Sequence, residues 1–372
     1  MNKQFYPNNN IPPMMPPIID GGSIENEESI PEIINPEGVI NNTLDFIKMD
    51  YNGSRIIQDF YKKSPELIKN EIFEKIKPHI KDLSKHPFAN YFITKIIEEN
   101  NDEKVNIIYN SLINDIKNIY NDEYGTFVFQ KLIEKLDNEK CEEICNKLEI
   151  DSKWEEFTSG QNTNHILQRF LKKGLLAEKI YNQFDKLSKE KYGIFIIKTL
   201  LKNCEDNYYI SIYEKTCNKF YELIKHEYGN YIILFFLENE KGKDNDSLYE
   251  KLAGHVLDFS MDKKAVYNIE KAIEKGNETQ KNNIINEILN SGQKVKNEDC
   301  VIYLAKHSCG NYVIKYILMH GNEDNRIYII KKLYSEPNIE SDKYANHLIK
   351  YIIQLNIVKN GAYNNIIPEN NK

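Results

Sequence analysis

From Leu44 onward, apolar residues recur at spacings of three and four, the periodicity of a helix with one buried face. Residues 65–80, 102–116, 140–148 and 279–289 show it most plainly, and few stretches alternate as strands do. The pattern predicts an all-α chain. The first 38 or so residues lack it. Pro12, Pro13, Pro16 and Pro17 lie among asparagines, and Glu25, Glu27, Glu28 and Glu32 follow. Such a segment buries too little apolar surface to offset its ordering entropy, so 1–38 is expected to be a disordered leader, either a plain tail or a partner-binding segment.

A short motif punctuates the helical pattern. A small residue is followed, in most copies, by a polar one, a flat one and two apolar ones, at 53–58, 89–94, 125–130, 163–168, 193–198, 229–234, 265–270, 310–315 and 345–350. Counted from the residue after the small one, position i, the intervals are 36, 36, 38, 30, 36, 36, 45 and 35. A period in this range marks a solenoid, in which each unit buries its apolar face only by stacking on its neighbours.

On a helix, positions i, i+1 and i+4 point at about 0°, 100° and 40° and share one arc of the surface. Position i+1 is Arg55, Tyr91, Phe127, His165, Phe195, Tyr231, Tyr267, Tyr312 and His347, all of them planar. Flat groups in register on successive repeats can sandwich nucleic-acid bases, worth about 1–3 kcal/mol per base. Positions i and i+4 can meet the base edge: Ser54 and Gln58, Asn90 and Thr94, Thr126 and Gln130, Asn164 and Gln168, Ile194 and Lys198, Asn230 and Leu234, Val266 and Glu270, Asn311 and Lys315. A single aromatic at helical spacing is more often core than ligand. Nine planar groups in register, most beside a polar position, are hard to explain as packing alone.

Net charge is −7, which argues against a generic nucleic-acid binder unless cations cluster locally. Position i+5 supplies Lys95, Lys131, Arg169 and Lys271, candidates for phosphate contact, and Lys198, Lys315 and Lys350 add cations at i+4. The competing reading of this ladder is a solvated helix face. Other chemistry is thin. Six cysteines follow no disulfide or zinc spacing, and the bland reading is thiols in a reduced cytosol. His226-Glu227 opens like a zinc-protease signature, but Asn230 stands where the second histidine belongs. His79 and His255 lie at repeat ends and suggest structural roles, and the Asn52-Gly53-Ser54 glycosylation triplet lacks a secretory signal. No cofactor, metal or catalytic group is expected, and no apolar run is long enough to span a membrane.

These nine segments resemble the Pumilio homology domain, the PUF repeat family, over about residues 39–362. The resemblance implies a curved right-handed α-solenoid of three-helix repeats, eight plus a C-terminal half-repeat at His347, with a flexible tail at 363–372. It implies single-stranded RNA bound along a concave face, one base per repeat, a code already known for such repeats. In the family, N-terminal repeats read the 3′ end. Serine or cysteine with glutamine reads adenine, asparagine with glutamine reads uracil, and serine with glutamate reads guanine. Ser54 with Gln58 fits adenine and Asn164 with Gln168 fits uracil. Thr126 with Gln130 resembles the adenine pair, and Asn90 keeps half a uracil pair beside the short Thr94. A 3′ end like U-A-U-A follows. The C-terminal half departs: Ile194 with Lys198 has no familiar reading, Leu234 and Lys315 replace glutamine, and Val266 replaces the serine that accompanies Glu270. The resemblance further implies a cytoplasmic monomer acting on messenger 3′ untranslated regions, with repressor or decay proteins on the convex face. The rival expectation is a degenerate Pumilio-like ribosome-assembly factor or protein scaffold.

Overall fold

The computed structural model describes residues 36–99, 101–238, 244–289, 294–295, 298–358 and 361–368. The expected leader therefore lies outside the described residues, apart from its last three, which open a short helix, Pro36–Asn41. The described residues divide into two compact units, the first ending at Leu176 and the second beginning at Ala177.

The nine motif segments each open or lie within a helix. In the first unit these are α1 (Tyr51–Lys63), α2 (Ala89–Glu98), α3 (Gly125–Lys135) and α4 (Thr163–Lys172). In the second they are α5 (Gly193–Asn203), α6 (Asn230–Leu237), α7 (Val266–Lys275), α8 (Gly310–His320) and α9 (Ala345–Val358). Within each unit successive members pack on one another. Each of α1 to α8 is followed by a second helix and a short third one. Glu66–Ile76, Asp102–Leu112, Asn138–Lys147 and Glu278–Leu289 are second helices, close to the ranges expected from periodicity.

Within each unit the apolar positions feed the core. In α2, Phe92, Ile93, Ile96 and Ile97 are fully buried, the one-sided pattern that three- and four-residue spacing demands. The small residue before position i is needed for close approach. A Cβ on Gly193 would lie 2.1 Å from the Leu187 carbonyl oxygen, and one on Gly125 would lie 2.5 Å from that of Ile119.

A capping device recurs four residues before position i. His86 Nδ1 accepts from the N–H groups of Phe88 and Ala89, and His226 and His307 do the same for the helices α6 and α8. Asp122, Asp262 and Asp342 use a carboxylate oxygen for the same pair of donors. Asp50 accepts from Gly53 N–H at the head of α1. Helix N-termini leave such donors unpaired, and a capping acceptor satisfies them. His226 is therefore a helix cap, not a remnant of a zinc signature.

The all-α expectation holds, with one small addition among the described residues: a two-residue antiparallel pair, β1 (Lys294–Val295) and β2 (Glu298–Asp299), lies inside the longest interval. One boundary needs correction: the packed chain runs past residue 362, because Tyr363 and Ile367 are buried and the Tyr363 N–H donates to Asn356 Oδ1.

Candidate nucleic-acid interface

The planar residues at i+1 face outward. Arg55, Tyr91, Tyr312 and His347 are exposed, and Phe127, His165, Phe195, Tyr231 and Tyr267 are half-buried. Burial and the neighbouring Arg169 hold the His165 imidazole below its ordinary pKa, so its ring is a neutral plane at physiological pH.

Position i lies deeper than the helical wheel suggests. Ser54, Asn90, Thr126, Asn164, Ile194, Asn230, Val266 and Asn311 are between 1% and 6% exposed. The four asparagines share one geometry. Each donates through Nδ2 to the carbonyls three and four residues back: Asn90 to His86 and Pro87, Asn164 to Gly160 and Gln161, Asn230 to His226 and Glu227, Asn311 to His307 and Ser308. Both amide hydrogens are thereby engaged, and the oxygen is the atom turned to the helix surface.

In three repeats of the first unit the i and i+4 side chains are joined directly. Gln58 Nε2 donates to Ser54 Oγ at 3.1 Å, Gln130 Nε2 to Thr126 Oγ1 at 3.3 Å, and Gln168 Nε2 to Asn164 Oδ1 at 2.9 Å. Each pair stands beside its own planar residue on the same helix. In α2, Thr94 does not reach Asn90, and its hydroxyl is buried without a described partner.

The second unit keeps the planar residues and changes the edges. Lys198 Nζ lies 5.7 Å from the Phe235 ring centroid, and Lys315 Nζ lies 5.4 Å from that of Tyr351. Leu234 offers no polar atom. Ile194 and Val266 are buried and apolar. Glu270 is buried, and desolvation raises its carboxyl to about 7, against the lowering effect of Lys271 and Lys315.

The expected phosphate ladder is not a row of unpaired cations. Lys95 pairs with Glu98, Lys131 with both Glu98 and Glu134, and Arg169 with Glu134 at 2.7 Å. Lys271 pairs with Glu274 at 2.9 Å and Glu238 at 3.9 Å. The partners occupy position i+8, one turn beyond i+5. Glutamates at that spacing were visible in the sequence as Glu98, Glu134, Glu238 and Glu274; the pairs Lys95–Glu98, Lys131–Glu134 and Lys271–Glu274 lie within one helix, whereas Lys131–Glu98, Arg169–Glu134 and Lys271–Glu238 reach back to the preceding repeat. The alternation of charge accounts for an acidic chain whose site face nonetheless carries cations.

Among the described residues no helix is long and apolar enough to cross a membrane. Fold and site together define a helical repeat protein that presents one planar residue and one residue pair per repeat. The family model for the Pumilio-family RNA binding repeat matches residues 49–77, 79–113, 121–149, 219–253, 255–289 and 300–334, just over half of the chain. The chain belongs to this family. A solved structure of the Puf3 RNA binding domain bound to a Cox17 RNA 3′ UTR recognition sequence is 25% identical, with a TM-score of 0.72, over 85% of this chain and 96% of that one. PUF-8 in complex with PBE-RNA is 20% identical, with a TM-score of 0.71, over 87% and 95%. The Puf4 RNA binding domain bound to an HO endonuclease RNA 3′ UTR recognition sequence is 21% identical, with a TM-score of 0.67, over 82% and 97%. The search of curated proteins finds no match.

Proposed function

We propose that this protein binds single-stranded RNA through the i, i+1 and i+4 residues, selects its site by sequence, and acts on messenger 3′ untranslated regions as a cytoplasmic repressor or decay factor that recruits other proteins. The observation that carries this reading is the joined pairs Ser54–Gln58, Thr126–Gln130 and Asn164–Gln168, each beside a planar residue on the same helix. A pre-formed pair of donor and acceptor next to a stacking plane is what reading a splayed base requires. The family and the RNA-bound structures of Puf3 and Puf4 support it.

The first unit reads the 3′ part of the site, with a U-A-U-A ending. The second unit reads by a different chemistry. Lys198 and Lys315 present donors only, so their repeats favour bases with exposed carbonyl acceptors, such as guanine or uracil, over adenine.

Selection from a random RNA pool tests the reading, with enrichment of U-A-U-A as the expected result. Binding without enrichment would favour an assembly factor of weak sequence preference, and absence of binding would favour a protein scaffold. Within the enriched site, Gln168→Ala should weaken binding about tenfold when uracil lies opposite α4, and much less for other bases there. An equal loss for all four bases would defeat that assignment.

The paired cations set a second expectation. Because Lys95, Lys131, Arg169 and Lys271 are already neutralised, few counterions leave the RNA on binding. The slope of log affinity against log salt should stay shallower than about −3, as few phosphates are neutralised. A steep slope in a salt titration would mean that these ion pairs open to the backbone.

A further inference from the structure

A base-reading pair discriminates only if its donors and acceptors keep a fixed order. A glutamine amide has two orientations of nearly the same shape, related by a half-turn, with donor and acceptor exchanged. Something must choose between them. In the three repeats of the first unit with glutamine at i+4, the choice has different sources.

In α1 the Ser54 hydroxyl donates to the Phe88 carbonyl at 2.9 Å. Its oxygen is left as an acceptor toward Gln58, so the amide must turn Nε2 to it. In α4 both Asn164 amide hydrogens go to backbone carbonyls, so Oδ1 likewise accepts from Gln168 Nε2. The residue at i thus fixes the glutamine by itself. In α3 it does not. Thr126 Oγ1 accepts from Gln130 Nε2 at 3.3 Å, and among the described residues no acceptor takes the Thr126 hydroxyl hydrogen. A hydroxyl able to donate or accept satisfies the amide either way round.

The missing constraint comes from the next repeat. Arg169 Nη2 donates to Gln130 Oε1 at 3.4 Å, while Nη1 is anchored on Glu134 Oε1 at 2.7 Å. A guanidinium has donors only, so the amide oxygen must face it. Gln130 is 4% exposed, which leaves its side chain little room to escape this contact. We propose that Arg169 is a positioning residue: it locks the Gln130 amide and so sets, from the fourth repeat, the base selectivity of the third. This replaces the phosphate role expected for Arg169, and it rests on the RNA-binding reading above.

The test uses the full chain and two sets of four short single-stranded RNAs, varied only opposite α3 or only opposite α1. Wild type should prefer adenine at both places. Arg169→Met should reduce discrimination opposite α3 by about fivefold, within the range of one base-edge pair, and leave discrimination opposite α1 and the salt slope unchanged. Glu134→Gln keeps the guanidinium and removes its anchor. It should lower selectivity opposite α3 in the same sense by a smaller factor, and it carries the test if Arg169→Met fails to fold. Uniform weakening across all eight RNAs with a shallower salt slope would assign Arg169 to a phosphate and overturn the proposal, as would unchanged selectivity. If wild type binds none of the eight, the RNA reading itself falls and takes this inference with it, a result visible before any variant is made.

Discussion

Glu270→Gln should remove the loss of stability that ionisation of Glu270 imposes on the second unit between about pH 4 and pH 8. Glu270 is 9% exposed on α7, and burial raises its carboxyl to about 7. The cations that face it relieve this only in part. Lys271, on the same helix, is engaged by Glu274 and Glu238, and Lys315 on α8 lies against the Tyr351 ring. Tyr267 is the remaining titratable neighbour, and burial together with Glu270 raises its phenol. A folded-state value above the unfolded one means that folding favours the protonated form. The stability it contributes is fully present below the ordinary value near 4.5 and is lost as pH rises through about 7. The gap corresponds to about 3 kcal/mol at alkaline pH. Glutamine keeps the shape and cannot ionise, so the variant should be more stable than wild type at pH 8 by up to about 3 kcal/mol, and equal to it near about pH 4. Unfolding of both proteins across this range measures it. Because a repeat array sums local terms, the effect should concentrate in hydrogen exchange of α7 and its neighbours. Parallel pH profiles for the two proteins would sink the argument. The same titration bears on recognition: an ionised carboxylate only accepts, whereas its acid also donates, so any guanine preference at this repeat should strengthen as pH rises.

Much of this architecture was legible because repetition turns weak local signals into a register. The small residue before position i, the apolar i+2 and i+3, and the flat i+1 each recur, and the structure puts the small residue against a carbonyl, the apolar pair in the core and the flat residue outside. Depth was not legible. The wheel gives direction around one helix and is silent on how far a neighbouring helix covers it, so Asn90 and Thr126 were expected at the surface and lie nearly buried. Pairing between repeats was hidden for a related reason. Lys131 meets Glu98, a partner 33 residues away, and no pattern along one helix brings them together. The caps escaped notice because two unlike residues share one task. Histidine nitrogen at His86 and carboxylate oxygen at Asp122 accept the same pair of N–H groups, so a search by residue type sees no repeat where the hydrogen bonds have one.

Asn268→Leu should stabilise the protein, an unusual result for a change in a fully buried residue. Asn268 holds position i+2 of its repeat, where the others place Ile56, Phe92, Val128, Ile166, Ile196, Ile232, Val313 and Leu348. It is 0% exposed, and among the described residues neither its Oδ1 nor its Nδ2 has a hydrogen-bond partner. A buried amide that has left water without replacing those bonds costs about 1–3 kcal/mol. Leucine has the same branching at Cγ and nearly the same outline, so it removes the polar penalty and adds apolar burial with little overpacking. The expected gain is about 2 kcal/mol, read as a higher denaturation midpoint with an unchanged slope against denaturant. Asn268→Ala separates two causes. It removes the unpaired amide but opens a cavity, so it should fall well below the leucine variant in stability. If leucine instead destabilises the chain, the amide has a stabilising partner in solution, and the seventh repeat would not be the weak point that Asn268 and Glu270 together make it.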